Sequence, residues 1–336
     1  MAEPLLWRAP TRDDIAAWAG LLAVVETVDR TGEYLGAEDL VDDFEAPGAA
    51  PASDAVLVLD RDDIVAFGWA QTRGGGERVL LWGAVHPDHR RQGIGTALLG
   101  WLERRAAALA AQRGGPVEVE VRAPDSNVGL ATLASRRDLV VSRWWYQMQR
   151  RLDTPPAPAR PPPDGVTVAH FSHALDEAVR VAHNDAFADH WGSDPRSAQD
   201  WAQWFTGGRH FRADLSFVAL GDGPRGRPDG GRPDGGSPAG AEVVGYLLSY
   251  VFEPDAEHNG YTEGWVGQVG VRPPWRDRGL GRCLLTHALR AYQVAGLERA
   301  GLDVDTANVT GALGLYRSVG FAPIRTSVSY TRLVAP

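Results

Sequence analysis

The segment Val271-Arg272-Pro273-Pro274-Trp275-Arg276-Asp277-Arg278-Gly279-Leu280-Gly281 decides the fold, because it has a second copy in the same chain. The other copy, Val85-His86-Pro87-Asp88-His89-Arg90-Arg91-Gln92-Gly93-Ile94-Gly95, lies at a constant offset of 186 residues (271 − 85). Both copies contain Val-x-Pro followed by Arg-x-x-Gly-x-Gly. Solenoid units repeat about every 20–50 residues, so this much longer repeat predicts two copies of one domain.

Each copy joins a short apolar segment to an amphipathic one. Residues 79–85 and 265–271 are predicted to be buried strands, and apolar residues recur at helical spacing after each turn. A strand that runs through glycines into a helix presents free backbone N–H groups and the positive end of the helix dipole, which suit a phosphate or pyrophosphate. Four arginines of the turns add positive charge: Arg90, Arg91, Arg276 and Arg278.

The common nucleotide-binding motifs do not match the turn. Neither copy ends in the Gly-Lys-Ser/Thr of a P-loop, and the Pro and Arg residues do not match the dinucleotide-binding fingerprint. For a single copy, a tight turn without a ligand is the alternative. Two copies with the same flanking pattern favour anion binding.

This motif resembles the acetyl-coenzyme A motif of the GNAT superfamily of N-acetyltransferases, and the resemblance covers both halves of the chain. It implies acetyl-CoA as acetyl donor, with the coenzyme pyrophosphate at the turn and a preceding strand that separates from its neighbour at a bulge. In the second half it implies these coenzyme-binding residues: Val269, Val271, Arg276, Asp277, Arg278, Gly279, Leu280, Gly281, Arg282 and Asn308. In the first half it implies the following: Val85, Arg90, Arg91, Gln92, Gly93, Ile94, Gly95 and Thr96.

A second signature distinguishes the two halves. Residues 308–321 resemble the family's Asn…Ala…Leu-Tyr-x-x-x-Gly-Phe ending. The resemblance implies that Tyr316 protonates the departing thiolate and that Asn308 contacts the pantetheine arm; the alternative for Tyr316 is a core residue. Neither of two alignments of the first half places a tyrosine at this position: ungapped counting from Asn127 gives Ser135, and anchoring on Leu139 as the Phe equivalent gives Ala134. We therefore expect the first half to be catalytically silent.

The general base is less well defined by the sequence. Trp265 stands where many family members have Glu, so the usual assignment does not carry over. Glu263 precedes it on the same face of the predicted strand and could act through a water molecule. The alternative is a solvated carboxylate at a strand start. Glu77 occupies the equivalent position of the first half.

The 336 residues suggest two domains on length alone. We predict an α+β fold of two tandem GNAT-like domains, each a mixed, mostly antiparallel sheet flanked by helices. The predicted ranges are 1–152 for the silent domain, 153–165 for a Pro-rich linker and 166–336 for the catalytic domain. A Gly- and Pro-rich insertion is expected between Gly221 and Ala241.

Composition excludes several classes. A net charge of −9 argues against general nucleic-acid binding. The single Cys283 excludes an internal disulfide and a cysteine-based metal cluster, and it is predicted to lie in the core; no metal is expected. The sequence shows no membrane span or signal peptide, which favours the cytoplasm. The absence of lysine, with 39 Gly and 23 Pro, suggests a GC-rich bacterial genome.

The leading hypothesis is an acetyltransferase that passes acetyl directly from acetyl-CoA to an amine of a small molecule, as a monomer or homodimer. The architecture resembles that of the mycothiol synthases, tandem members of the superfamily whose second half is active. Aromatic and acidic residues between Phe187 and Trp204 could bind a cationic amine, or they could form a core cluster. The alternatives are a non-catalytic acetyl-CoA-binding regulator, a mycothiol-synthase-like enzyme, and a protein or peptide acetyltransferase.

Overall fold

A computed structural model describes residues 4–73, 77–154, 161–190, 193–222, 241–307 and 311–336. The chain divides into two compact units. Unit 1 comprises Met1–Trp145 and Arg325–Pro336, and unit 2 comprises Tyr146–Ile324. Two strands, Val140–Arg151 and Ala322–Val334, therefore contribute residues to both units.

Unit 1 begins with a short strand and ends with the last strand of the chain. Its strands are β1 (Leu6–Arg8), β2 (Ala55–Asp60), β3 (Asp63–Arg73), β4 (Arg78–Val85), β5 (Val117–Pro124) and the first part of β6 (Val140–Arg151). Its helices are α1 (Ile15–Asp29), α2 (Ala37–Phe44), α3 (Pro51–Asp54), α4 (Ile94–Arg113) and α5 (Val128–Ser135). The strand order is β1-β2-β3-β4-β5, followed by the last strand of the chain.

Unit 2 repeats the strand order of unit 1 with a different set of helices between the strands. Its further strands are β7 (Val166–His170), β8 (Phe217–Asp222), β9 (Ala241–Tyr250), β10 (Glu263–Val271), β11 (Arg299–Asp305) and β12 (Ala322–Val334). Its helices are α6 (Asp176–Phe187), α7 (Ala198–Trp201), α8 (Glu253–Asn259), α9 (Leu280–Val294) and α10 (Ala312–Ser318). The strand order is β6-β11-β10-β9-β8-β7, and β12 runs from here into unit 1.

Helices cover both faces of each sheet because side chains alternate along the strands. In β2, Val56 and Val58 pack in the cluster around α4, whereas Leu57 and Leu59 pack in the cluster around α1. In unit 2, α9 and α6 likewise pack in separate clusters. Within the described residues, β4–β5 of unit 1 and β10–β11 of unit 2 are parallel pairs, and each lies beside an antiparallel pair. The predicted α+β class is confirmed.

The boundaries of the compact units differ from the predicted domain ranges at two places, one in β6 and one in β12. The chain leaves unit 1 after Trp145, within β6, rather than at the predicted boundary of residue 152. It returns at Arg325, within β12, so the last residues belong to unit 1 rather than to the predicted range 166–336. Residues 155–160 of the predicted linker and 223–240 of the predicted insertion lie outside the described residues.

Two further observations concern the helices. Cys283 is buried on α9, as predicted for a core residue. Within the described ranges, no helix combines the length and the apolar character needed to cross a membrane.

Candidate active site

The glycine-rich turn of unit 2 links β10 to α9 through two residues of left-handed backbone. Asp277 has φ of 61° and Gly279 has φ of 80°, and Gly279 is the N-cap of α9. A Cβ at Gly279 would meet no atom within 4 Å, so the space over the turn is open. Successive N–H groups in such a turn form an anion-binding concavity. The residues present therefore fit a coenzyme pyrophosphate.

Unit 1 has the same turn geometry at the same repeat positions. Arg91 has φ of 63° and Gly93 has φ of 88°, and Gly93 is the N-cap of α4. A Cβ at Gly93 would likewise meet no atom within 4 Å. The repeat seen in the sequence is thus a repeat of backbone conformation.

The first arginine of each motif braces its turn. The Nε of Arg276 donates to the Val271 carbonyl at 3.3 Å, and its Nη2 donates to the Ala186 carbonyl at 3.1 Å. In unit 1 the Nε of Arg90 donates to the Val85 carbonyl at 3.0 Å, and its guanidinium pairs with Asp29 at 2.8 Å. These two cations therefore fix the turn to the strand end. In unit 2 the neighbouring Arg278 lies over the Trp275 ring, 5.0 Å from its centroid.

The strand before the turn of unit 2 separates from its parallel neighbour. Pairing of β10 with β11 covers Glu263–Trp265 opposite Arg299–Gly301, whereas β10 continues to Val271. The β9–β10 register shifts between Val266 and Gln268, which marks a bulge. Among the described residues, the backbone around Val269 and Val271 therefore has a free edge beside the turn, where an extended pantetheine arm can hydrogen-bond.

Unit 1 has the separation and lacks this bulge. Pairing of β4 with β5 stops at Leu80 and Glu120, but the ladder from Ala66–Arg73 to Arg78–Val85 keeps one register throughout. The bulge that the family resemblance implies is thus present at β10 and absent from the described β3–β4 ladder.

Tyr316 lies on α10 with only 7% of its surface exposed. Its ring packs against Phe321 in a T-shaped contact with centroids 6.2 Å apart. Burial raises the pKa of Tyr316 above its usual value near 10, so the phenol keeps its proton at neutral pH. The α10 helix also approaches the turn, since a Cβ on Gly281 would lie 3.2 Å from Leu315. Asn308 lies outside the described residues.

Glu263 is half-buried at the start of β10 and belongs to a polar network. Its Oε1 accepts a hydrogen bond from Gln149 Nε2 at 2.8 Å. The same amide nitrogen donates to the Tyr261 hydroxyl at 3.1 Å, and Arg299 donates to the Gln149 oxygen at 2.6 Å. Glu263 and Trp265 also line a small cavity beside Phe252 and α8.

The equivalent carboxylate of unit 1 has different surroundings. The side chain of Glu77 is 71% exposed and pairs with Arg113 at 2.6 Å. In sequence α5, the counterpart of α10, contains no tyrosine. Unit 1 therefore has the anion-binding turn without the buried phenol.

The region between Phe187 and Trp204, predicted as an acceptor site, is only partly exposed. Trp201 is 2% exposed, donates to Asp176 and stacks on Phe205 with centroids 4.5 Å apart, so it is a core residue. Trp204 is 40% exposed. Asp189 lies 3.9 Å from the Arg276 guanidinium. The intervening residues 191–192 lie outside the described residues.

Two features near the site were not predicted from the sequence. One is α8, which joins β9 to β10 where unit 1 has a short β3–β4 hairpin. The other is a buried pair in which His183 Nδ1 lies 2.5 Å from the Tyr246 hydroxyl. The sequence offered one signal for this pair, a histidine within an apolar helical stripe, but it did not indicate that Tyr246 is its partner.

Comparison with protein families matches both halves. The Acetyltransferase (GNAT) family model matches residues 180–321, and an Acetyltransferase (GNAT) domain model matches residues 52–131. A protein from Parafrankia sp., named mycothiol acetyltransferase, is 31% identical over 98% of this chain and 98% of its own length. The chain belongs to the GNAT family.

Other relatives agree with this family. The mycothiol acetyltransferase of Frankia casuarinae is 30% identical over 94% of this chain and 84% of its own length. As a GNAT protein, the chain is an N-acetyltransferase that takes its acetyl group from acetyl-CoA. The predicted enzyme class and acetyl donor are confirmed.

Solved structures share the tandem fold. A GCN5-related N-acetyltransferase from Sphaerobacter thermophilus superposes with a TM-score of 0.73 at 26% identity, covering 99% of this chain and 96% of its own. A tandem GNAT protein from the clavulanic acid biosynthesis pathway superposes with a TM-score of 0.70 at 18% identity, with 99% of each chain covered. The predicted architecture of two GNAT-like domains is confirmed.

Proposed function

We propose that unit 2 transfers the acetyl group of acetyl-CoA directly to an amine of a small molecule, and that unit 1 is a catalytically silent copy. One observation carries the proposal. The anion-binding turn, the bulged strand with a free edge and a buried phenol occur together in unit 2, whereas unit 1 has only the turn and a separated strand.

Each part of unit 2 has a role in this reaction. The turn from Arg276 to Gly281 binds the pyrophosphate, and the free edge of β10 binds the pantetheine arm. The amine attacks the thioester carbonyl, and Glu263 removes a proton from the amine through a water molecule. Tyr316 gives its proton to the departing coenzyme thiolate. Because its raised pKa makes the phenol a weak acid, the proton moves only as negative charge develops on the sulfur beside it.

The acceptor of a mycothiol acetyltransferase is a second candidate, because proteins of that name match nearly the whole chain. Against this candidate, Trp265 stands where many members of the family have the Glu that acts as base, which favours a differently placed base in this chain. Protein or peptide acetylation and a purely regulatory acetyl-CoA-binding role are further outcomes that the assay below distinguishes.

The test measures thiol release from acetyl-CoA with the full chain and a panel of small amines, the acceptor of a mycothiol acetyltransferase, and peptides. We expect Tyr316→Phe to lower kcat by about 10²- to 10⁴-fold, because it removes the general acid. Tyr330→Phe removes a phenol on β12 in unit 1 and serves as the control. Thiol release that no acceptor raises above background would contradict an enzymatic role.

The two turns test the division between the units. Valine is strained at φ of 80° and its side chain would enter the anion site, so Gly279→Val is expected to raise KM for acetyl-CoA at least tenfold. Gly93→Val makes the same change at φ of 88° in unit 1. Turnover that survives Tyr316→Phe but is lost in Gly93→Val would place the reaction in unit 1 and overturn the proposal.

A further inference from the structure

Glu263 and Arg299 carry opposite charges at the first register pair of the parallel ladder between β10 and β11. Within the described residues, Arg299 reaches Glu263 through Gln149 of β6 rather than in a direct ion pair. Arg299 donates to Gln149 Oε1 at 2.6 Å, and Gln149 Nε2 donates to Glu263 Oε1 at 2.8 Å. The amide thus lies between the two charges.

The parallel ladder of unit 1 shows that charges at this place can also contact directly. Arg78 and Glu118 form the first register pair between β4 and β5, and their side chains pair at 2.6 Å. A bridging amide is therefore not needed to join opposite charges at the start of such a ladder. In unit 2 it gives Glu263 a neutral donor in place of a guanidinium.

Arg299 fixes the orientation of the Gln149 amide. The two ends of a glutamine side chain have nearly the same shape, so the hydrogen-bond partners decide which end is the oxygen. A guanidinium has donors only, so the end that faces Arg299 is the oxygen. The NH₂ group then donates its two hydrogens to Glu263 at 2.8 Å and to the Tyr261 hydroxyl oxygen at 3.1 Å.

The hydroxyl hydrogen of Tyr261 is consequently directed away from Gln149. The Tyr261 oxygen accepts from Gln149, and among the described residues no acceptor takes its hydrogen. The Arg299 guanidinium lies over the Tyr261 ring, 3.6 Å from its centroid, which holds the ring in place. Tyr261 and Glu263 both line the cavity beside α8. A hydroxyl donor and a carboxylate therefore meet at one cavity.

The cavity beside α8 has room for about one water molecule. Its volume of about 10 Å³ is at the lower end of the roughly 10–15 Å³ that a single water requires. A bound water also needs two to four polar partners. Four lining residues can supply them: Asp255, Asn259, Tyr261 and Glu263.

We propose that Gln149 is a positioning residue for Glu263, and that the cavity beside α8 holds the water molecule through which this carboxylate receives the proton of the amine. The inference rests on the proposed role of Glu263 as the base of unit 2. In this arrangement the water accepts a hydrogen bond from Tyr261 and donates one to Glu263. Gln149 and Arg299 act on the reaction only through the orientation of these two groups.

The proton transfer balances without a further reactant. As the amine nitrogen bonds to the thioester carbon, its proton passes to the water oxygen and a proton of the same water passes to Glu263. The water is regenerated, and Glu263 becomes the neutral acid. Tyr261 keeps its proton throughout.

The first test is the pH dependence of thiol release, measured with the full chain and the acceptor of the panel that gives the fastest release. The acidic limb of kcat/KM reports the protonation of the essential base in the free enzyme. A hydrogen bond to the charged form lowers the pKa of a carboxyl, so Gln149→Leu should move this limb to higher pH by about one pH unit. Gln149→Glu should move it further, because a second negative charge then faces Glu263.

The control for the pH profile is Gln293→Leu. Gln293 is a half-buried residue of α9 whose amide donates to the Leu152 carbonyl at 3.0 Å, so its loss should leave the acidic limb in place. The other charged or titratable groups around Glu263 are the same in all these variants: Asp255 of α8, Tyr261, Tyr292 of α9 and Arg299 of β11. A purely structural role for Gln149 would lower kcat without moving the limb.

The water is tested by crystallography of the full chain at a resolution that shows ordered water. We expect density for one water within hydrogen-bond distance of the Tyr261 hydroxyl and the Glu263 carboxylate. Tyr261→Phe should remove this density and lower kcat at least about tenfold, with KM for acetyl-CoA changed much less. A parent structure without that water would overturn the proposed path of the proton.

Two kinetic results separate this inference from the proposed function. An acidic limb that stays in place in Gln149→Leu, while Glu263→Gln abolishes it, would overturn the role of Gln149 and leave Glu263 as the base. An acidic limb that survives in Glu263→Gln would instead show that another group is the base, and that part of the proposed function would fall with the inference.

Discussion

Glu263 and Glu77 occupy the same position of the repeat and differ in what surrounds them. Glu263 is half-buried and accepts from Gln149 in a network that includes Arg299. Glu77 is largely exposed and pairs with Arg113, an arrangement that contributes little energy at a surface. A carboxylate held beside a cavity can position a water molecule, whereas a solvated one cannot.

Glu263→Gln is therefore expected to lower kcat about 10²-fold, because the amide cannot accept the proton of the amine. The measurement is steady-state thiol release over a range of acceptor concentrations. Glu77→Gln is the matched control, since it makes the same change at the same repeat position. Equal activity in both variants would leave Glu263 as a structural carboxylate and require another base.

Single residues were predictable where a local signature contained them. Tyr316 and the two turns were found because their spacing is fixed within a few positions of the chain. The pair of His183 and Tyr246 was not, because its members are 63 positions apart and meet only when α6 packs on β9. Sequence periodicity indicates that both are buried and gives no information about their contact.

The turn that leads into α1 is held by one carboxylate. Asp14 accepts hydrogen bonds from the Thr11 backbone N–H at 2.7 Å and the Thr11 hydroxyl at 2.8 Å. Arg8 pairs with both of its oxygens. The Arg8 guanidinium, above all, together with the Thr11 bonds, holds the pKa of Asp14 well below its usual range. A lowered folded-state pKa contributes stability above the unfolded value of about 4, and this is lost as pH falls further.

Asp14→Asn is expected to destabilise the start of α1 by about 1 kcal/mol at pH 7, allowing for partial solvent screening of Arg8. Hydrogen exchange of the amides of α1 should accelerate relative to the parent chain at pH 7. The difference should shrink as the pH is lowered below about 4, where the parent carboxyl begins to lose its advantage. Asp13→Asn alters an exposed neighbour and should leave the exchange rate of the α1 amides unchanged at both pH values.

At the level of elements, periodicity predicted most of the strands and helices that carry the site. The predicted strand at 265–271 and the helix after it correspond to β10 and α9. The bulge was expected from the family, but its placement between Val266 and Gln268 depends on how β9 and β10 align. Sequence alone does not determine that register, because it is a property of two strands.

At the scale of the whole chain, the repeat predicted two domains and could not show which strands complete them. Strands β6 and β12 are long enough to contribute to both units, and nothing in their composition marks the change at Trp145 or Arg325. The exchange follows from pairing: Ser327–Val334 pairs antiparallel with Val117–Pro124, so the end of the chain completes the sheet of unit 1.

Deletion of residues 325–336 is therefore expected to destabilise unit 1, although these residues end the chain. The deletion removes the buried Val328 and leaves the buried Glu120 without the Ser329 hydroxyl that donates to it at 2.5 Å. These losses together cost about 3 kcal/mol or more. Hydrogen exchange along β5 should become fast, whereas removal of only Ala335 and Pro336 should leave it slow. Unchanged protection of β5 in the longer deletion would show that unit 1 does not need the end of β12. It would contradict the assignment of residues 325–336 to unit 1.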